Sequence, residues 1–151
     1  MRDVTPVLRG AIQARIVRVK ATLRAAGWDA LWLGQSTNLR YLSGVVEKPS
    51  ERLFGALIPA EGQPFMLVPR LYHDEMQELS AIGTVYSWTD EQGMPAAIRR
   101  YVDLPPQATI AMDPQLQAGF LFLFQEELPR ARFASAASLL ADMRLKKDAH
   151  E

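Results

Sequence analysis

The sequence contains no cysteine, and this absence excludes disulfides, thiolate metal sites and cysteine nucleophiles. Histidine is nearly as scarce, since only His73 and His150 occur among the 151 residues. His73 precedes Asp74 and Glu75 in a predicted helix, where successive side chains diverge by about 100° and cannot all face one metal ion. We therefore expect His73 to be a solvated helix residue.

Long apolar runs and targeting segments are missing as well. The longest strongly apolar run covers residues 118–124, far short of the roughly 20 residues that span a bilayer. The first eight residues include Arg2 and Asp3, and no apolar segment of a signal peptide follows them. The prediction is a cytoplasmic protein without membrane partners.

The net charge is zero, so no overall field attracts nucleic acid, and we expect no nucleic-acid partner. The charges are nevertheless uneven. Residues 1–24 hold six basic residues against one acidic residue, and residues 71–93 hold five acidic residues without Lys or Arg. Two interpretations stay open: two solvated helix faces, or complementary surfaces for docking another domain or subunit.

Several catalytic and phosphate-binding motifs are also absent. The chain has no G-x-G-x-x-G, no G-x-x-x-x-G-K, no His-Glu-x-x-His and no G-x-S-x-G. Residues 1–150 thus lack a recognisable set of groups that could carry out a reaction. The sequence ends within a helical pattern, from which we expect a continuing element.

Hydrophobic periodicity predicts alternating helices and strands. Apolar residues from Leu8 to Ala26 form one stripe of a helix, with the arginines opposite and Gly27 at the C-cap. Strands are predicted at residues 30–33, 84–88, 109–112 and 132–134, with a hairpin of 53–59 and 64–69. Helices are predicted at residues 36–42, 71–79, 95–102 and 115–128, and from 135 or 137 onward. Asp113 and Pro114 are interpreted as the start of the 115–128 helix. Because of the hairpin, the sheet of this α/β domain should be mixed.

One region carries more polar groups than a plain connection needs. It follows the first predicted strand, where ligands gather in open α/β sheets. Its candidates for a substrate pocket are Asn38, Arg40, Tyr41, Glu51 and Arg52. Arg52 offers a forked guanidinium suited to a carboxylate. The alternative is a structural role, in which Asn38 caps a turn, Tyr41 packs its ring, and Glu51 and Arg52 are exposed.

The order of several short segments resembles the N-terminal domain of the creatinase/prolidase group of metallopeptidases, the Xaa-Pro dipeptidases and aminopeptidases. The matching segments are residues 15–31 with Gly-Trp-Asp-Ala-Leu, 37–44 (Thr-Asn-Leu-Arg-Tyr-Leu-Ser-Gly), 49–53 (Pro-Ser-Glu-Arg-Leu), 57–59 with Gly62, 67–69 and 137–147. Together they cover nearly the whole chain.

This resemblance implies a three-layer α/β/α fold with a mixed central sheet. It implies that residues 1–136 form the N-terminal domain and that residues 137–151 begin a helical link to a C-terminal catalytic domain. In the family, that second domain carries two Asp, one His and two Glu that bind two divalent metals, usually manganese or cobalt. None of these ligands has a counterpart here, so we expect no catalytic residue, metal or other cofactor in this chain.

The resemblance further implies a non-catalytic domain that contributes to oligomer contacts and to the substrate pocket. The expected partners are its own catalytic domain, a second copy in a homodimer and a proline-containing peptide, whose bond before proline the complete enzyme hydrolyses. Two alternatives remain: a protein-binding domain of a catalytically dead homologue, as in a histone chaperone, and the N-terminal domain of a creatinase.

Overall fold

The structure, a computed structural model, describes residues 6–46 and 48–145. It contains six helices, a 3₁₀ turn and six strands within these residues. The helices are α1 (Pro6–Ala26), α2 (Thr37–Ser43), α3 (His73–Leu79), α4 (Met94–Tyr101), α5 (Ala118–Glu127) and α6 (Ala137–Leu145), and the 3₁₀ turn is Arg70–Tyr72. The strands are β1 (Ala30–Leu33), β2 (Gly55–Pro59), β3 (Phe65–Pro69), β4 (Val85–Trp88), β5 (Thr109–Met112) and β6 (Arg132–Ser135).

The strands form one mixed sheet in the order β4-β3-β2-β1-β5-β6. β2 runs antiparallel to both of its neighbours, β1 and β3, and the remaining pairs are parallel. Five strands therefore end at the same edge of the sheet, and β2 begins there. The segments that follow β1, β4 and β5, and the one that precedes β2, all meet at this carboxyl edge.

The alternation of side chains along β1 divides the core into two layers. Leu31 and Leu33 pack with α1, α2, α3 and α6 on one face, whereas Ala30 and Trp32 pack with α4 and α5 on the other. All four side chains are fully buried, and burying a large apolar side chain contributes about 1.5–3 kcal/mol. The expected three-layer α/β/α fold with a mixed sheet is confirmed.

Helix α1 follows the predicted stripe, with one correction. Its apolar face is buried, as expected, through Ile12, Ile16, Val19 and Leu23. Arg15 is only 3% exposed and lies on this buried face, so the expectation that the arginines lie opposite the stripe is wrong for this residue. The long alkyl stem of arginine packs beside apolar groups while its guanidinium reaches a carbonyl of α2.

The start of α5 also differs from the expectation. The helix begins at Ala118 with Gln117 at the N-cap, and residues 114–116 form a turn. The Asp113 side chain does not cap α5, because its oxygens accept hydrogen bonds from the β1–α2 connection and from the backbone N–H of Gln115. These bonds hold the segment in a turn before the helix begins.

Helix α6 packs against the same core as α1. Its buried side chains are Leu139, Leu140 and Met143. The division between residues 1–136 and 137–151 stays a prediction, and residues 146–151 lie outside the described residues. Among the residues that are described, no helix is both long and apolar enough to cross a membrane.

The basic and acidic segments meet within the chain. Arg9 on α1 donates from Nη1 to the carbonyl oxygen of Ser80 at 2.9 Å and from Nη2 to that of Glu78 at 3.0 Å. Arginine thereby satisfies carbonyls at the C-terminal end of α3. Part of the basic face of α1 thus docks onto its own domain.

Candidate functional site

The candidate residues lie at the carboxyl edge of the sheet. Asn38, Arg40 and Tyr41 belong to α2, which follows β1, whereas Glu51 and Arg52 lie in the segment that precedes β2. Helix α2 begins at Thr37, and the side chain of its N-cap residue Ser36 accepts a hydrogen bond from the backbone N–H of Leu39. Gly44 closes the helix with a left-handed backbone at φ 80°. These caps fix which α2 side chains point into the domain.

Asp113 is the centre of the hydrogen bonding at this edge. It follows β5 directly and is 3% exposed. One oxygen, Oδ2, accepts from the Gly34 backbone N–H at 3.2 Å and from the Ser36 hydroxyl. The other, Oδ1, accepts from Asn38 Nδ2 and from the Gln115 backbone N–H, each at 2.9 Å. One carboxyl group therefore ties the segment after β1 to the segment after β5.

The structure places Asn38 in this buried network. Its side chain is 3% exposed, and its Oδ1 accepts a hydrogen bond from Arg144 Nη1 of α6 at 3.4 Å. The amide thus bridges an acidic group on one side and a basic group on the other. Asn38 orients α2 rather than presenting its amide to solvent.

Tyr41 lies among arginines from two helices. The Arg15 guanidinium lies 4.1 Å from the centre of the Tyr41 ring, and its Nη1 donates to the Tyr41 carbonyl at 2.8 Å. Arg144 lies on the ring at the longer distance of 5.8 Å. Arg15 is buried, and a desolvated cation–π contact of this kind is worth about 2 kcal/mol, whereas Arg144 is exposed and contributes less. Tyr41 therefore anchors α2 between α1 and α6.

Arg52 lies elsewhere on the same edge, beside the end of β4. Its Nη1 is 2.9 Å from the Asp90 carboxylate, and the guanidinium lies 4.9 Å from the centre of the Trp88 ring. The Trp88 indole N–H donates to the Leu53 carbonyl at 2.8 Å. Nearly half of the Arg52 side chain stays accessible. The guanidinium is therefore oriented and still exposed.

The five candidates do not form one cluster. Asn38 and Tyr41 are buried and joined through Arg144, whereas Arg52 belongs to the Trp88 and Asp90 group. Arg40 and Glu51 are exposed. The two groups share an edge, and Gln35 connects their segments, since its Oε1 accepts from the Ser50 backbone N–H at 3.0 Å.

The chemistry available at this edge is that of binding and positioning. It offers exposed guanidinium groups and a rigid framework of hydrogen bonds. Within residues 6–46 and 48–145, no three His, Cys, Asp or Glu side chains are grouped so that they could hold a metal ion. The family resemblance implies two divalent metals in a second domain, and the residues described here are not grouped so that they could hold them.

Asp113 and Arg144 belong to this framework, although neither is among the candidate residues predicted from the sequence. The sequence predicts Asp113 as a helix cap and places Arg144 in the segment expected to link two domains. A usable signal existed for Asp113: it directly follows a strand, and carboxyl ends of parallel neighbouring strands lie together. No comparable signal marks Arg144, because its contact with Asn38 depends on how α6 packs.

Comparison with known proteins places the chain in a family. The family model described as Creatinase/Prolidase N-terminal domain matches residues 15–146 of this chain. An uncharacterized peptidase of Staphylococcus epidermidis is 28% identical over 78 residues, which cover 52% of this chain and 22% of that protein. One from Staphylococcus aureus is 28% identical over 96 residues, covering 61% of this chain and 27% of that protein. The chain thus spans about a quarter of the length of these curated relatives.

Solved structures share the fold. The dipeptidase PepE from Mycobacterium ulcerans superposes with a TM-score of 0.84 at 25% identity, covering 95% of this chain and 39% of that one. A proline dipeptidase from Streptococcus pneumoniae gives a TM-score of 0.79 at 18% identity, covering 87% of this chain and 98% of that one. Because the identity to the second structure is only 18%, that likeness shows a shared fold alone. The solved chain in that structure has a similar extent to this one. The chain belongs to the Creatinase/Prolidase N-terminal domain family.

Proposed function

We propose that this chain is the non-catalytic N-terminal domain of a metal-dependent Xaa-Pro dipeptidase or aminopeptidase. The observation that carries the proposal is the family match over residues 15–146. The similar curated proteins are peptidases, and the similar solved structures include dipeptidases and a proline dipeptidase. The described residues offer positioning groups and no grouped metal ligands, which suits a domain that supports chemistry carried out elsewhere.

In this proposal the catalytic groups lie in a second domain. The chain covers 39% of the mycobacterial dipeptidase, so a protein of that length has room for another domain. Carboxylates and a histidine of that domain would hold two divalent metals, manganese or cobalt. The metals would activate water for attack on the carbonyl carbon of the peptide bond before proline. The domain would also contribute to contacts in a homodimer.

The candidate residues take two different parts in the proposal. Asn38 and Tyr41 are buried, so they would hold α2 and its connection in place. Arg40, Glu51 and Arg52 are exposed at the carboxyl edge, so they would line the substrate pocket. Arg52 would meet the carboxylate of a dipeptide, because a fixed guanidinium matches the geometry of that group.

The function is tested with the complete protein and two dipeptides, one Xaa-Pro and one Xaa-Ala. The expected result is hydrolysis of the Xaa-Pro dipeptide with strong preference over Xaa-Ala, abolished by a chelator and restored by manganese or cobalt. If neither dipeptide is hydrolysed with any divalent metal added, the proposal is contradicted and a protein-binding homologue is favoured. Hydrolysis of creatine instead would identify a creatinase.

The proposed role of Arg52 has its own test in the complete protein. Arg52→Ala should lower kcat/KM for an Xaa-Pro dipeptide by roughly tenfold or more, mainly through KM, because a charged hydrogen bond contributes about 1.5–3 kcal/mol. The matched control is Asp90→Asn, which weakens the ion pair but keeps the guanidinium on Trp88. Equal kinetics for wild type and Arg52→Ala would return Arg52 to a surface role.

A further inference from the structure

A cavity lies at the amino edge of the sheet, opposite the candidate residues, where β5 and β6 begin. Its volume is about 200 Å³. It is lined by two loops, residues 102–108 between α4 and β5 and residues 128–131 between α5 and β6. An apolar protein cavity of about 150 Å³ holds a benzene molecule. This cavity therefore has room for an aromatic ring with a short substituent.

The walls of the cavity are mostly apolar and open to solvent. Leu104 and Leu128 line it and are half-buried. Pro105, Pro106 and Pro129 line it and are exposed. A ligand reaches this apolar surface without any rearrangement of the protein, and burying it against an apolar ligand removes both surfaces from water.

Backbone hydrogen bonds hold the two loops in place. The Ala108 N–H donates to the Pro105 carbonyl at 2.9 Å within the first loop. The Ala131 N–H donates to the Leu128 carbonyl at 3.0 Å within the second. A third bond, from the Arg132 N–H to the Ala108 carbonyl at 2.8 Å, joins the end of the first loop to the start of β6. The cavity is thus formed before a ligand binds, so binding requires little further ordering of the protein.

Two charged residues line the cavity, and only one of them has its charge unbalanced. The Glu127 carboxylate is mostly buried and pairs with the Arg99 guanidinium. Arg130 is exposed, and its guanidinium makes no ion pair within residues 6–46 and 48–145. Because the charge of Glu127 is already balanced, the cavity is left with one positive charge. A guanidinium matches the geometry of a carboxylate, so an anionic carboxylate complements this cavity.

We propose that this cavity binds a small aromatic monocarboxylate, whose ring packs on Leu104, Leu128 and the proline rings and whose carboxylate meets Arg130. Flat proline rings are apolar faces against which aromatic rings pack. The ring supplies most of the affinity, because an ion pair with an exposed arginine is weakened by solvent and salt. The carboxylate supplies the selectivity over neutral and cationic molecules of the same shape. The site is independent of the proposed peptidase function.

The test titrates the 151-residue chain with phenylacetate and follows backbone amide signals by nitrogen–proton NMR. The amides of Leu104 and Ala131, one in each loop, should shift and saturate with a Kd of about 1 mM. The amide of Gly34, at the opposite edge of the sheet, should stay in place. Phenylacetamide keeps the ring and loses the charge, so at low salt it should bind roughly threefold more weakly. Acetate, which lacks the ring, should give no saturable shift.

Two arginine variants separate the charge at the cavity from the charge of the surrounding surface. Arg130→Gln should bind phenylacetate roughly threefold more weakly and phenylacetamide as the wild type does. The matched control is Arg132→Gln, which removes an exposed arginine that does not line the cavity and should bind both ligands as the wild type does.

Three results would each overturn the proposal. The first is no saturable shift of the loop amides up to about 20 mM phenylacetate, well above the expected Kd. The second is equal affinity of wild type and Arg130→Gln for phenylacetate. The third is tighter binding of phenylacetamide or benzylammonium than of phenylacetate. None of these results would affect the peptide hydrolysis assay.

Discussion

Asn38 Nδ2 lies 2.9 Å from Asp113 Oδ1, and this bond joins two segments that are 75 residues apart in the chain. The two residues follow β1 and β5, which are parallel neighbours. The same carboxyl group receives donors from Gly34, Ser36 and Gln115. The carboxyl edge of the sheet is thus organised by one acidic side chain that accepts four hydrogen bonds.

The first prediction concerns this acidic group. Asp113→Asn replaces one acceptor oxygen with an NH₂ that faces two donors, so the free energy of unfolding should fall by about 3 kcal/mol. Urea denaturation of the chain measures the change. The matched control is Asp103→Asn at an exposed position, where we expect a change within about 0.5 kcal/mol. Equal stabilities of the two variants would contradict the assigned role of Asp113.

A second prediction concerns the buried arginine of α1. Arg15→Ala removes the hydrogen bond to the Tyr41 carbonyl and the contact with its ring. The expected loss is about 3 kcal/mol of unfolding free energy, since both contacts involve a desolvated cation. The control is Arg40→Ala, which removes an exposed arginine next to Tyr41 on α2. It should change the unfolding free energy by less than about 0.5 kcal/mol. A larger loss of unfolding free energy for Arg40→Ala than for Arg15→Ala would contradict the structural role assigned to Arg15.

A third prediction compares two glycines. A Cβ at Gly55 would lie 2.1 Å from the Leu33 carbonyl oxygen and 2.6 Å from a ring carbon of Trp32. Gly55→Ala should therefore cost about 3 kcal/mol or more, because the clash involves backbone. Gly10 lies in α1 with nothing within 4 Å of its Cβ position, so Gly10→Ala should stabilise by about 0.5–1 kcal/mol. Thermal unfolding of both variants checks the opposite signs.

A fourth prediction separates the stability effect of Arg52 from its proposed kinetic effect. The Arg52–Asp90 ion pair is solvent-exposed, and such pairs contribute at most about 1 kcal/mol. Arg52→Ala also removes the cation–π contact with Trp88, which is worth about 0.5–1 kcal/mol at an exposed site, so the unfolding free energy of the chain should fall by no more than about 2 kcal/mol. A loss of several kcal/mol would mean that reduced activity of this variant reports unfolding.

Regular elements of this domain were predictable because local signals agree with packing. The bounds of β1 and β5 match their apolar runs, and α2 lies between its Ser36 cap and Gly44 as expected. Sequence patterns that are compatible with two local structures are less reliable for placing the start of an element. An aspartate followed by proline is typical of a helix start, yet here the Asp113 oxygens receive donors from a neighbouring segment.

The candidate site was predictable only as a region. The rule that loops gather at the carboxyl edge predicts that the candidate residues lie there, and the structure places them at that edge, because β1, β4 and β5 end there and β2 begins there. Which side chains are buried depends on contacts between distant helices. Arg15 and Arg144 enclose the Tyr41 ring from α1 and α6, and neither contact leaves a periodic pattern in the sequence. The pocket roles of the five candidates remain predictions.

We propose that this chain has a positioning role and does not itself catalyse peptide hydrolysis. The most direct measurement compares the 151-residue chain with the complete protein at equal concentration, using one Xaa-Pro dipeptide with manganese or cobalt. We expect metal-dependent cleavage by the complete protein and none above the metal-only control by the chain alone. Robust metal-dependent cleavage by residues 1–151 would contradict it.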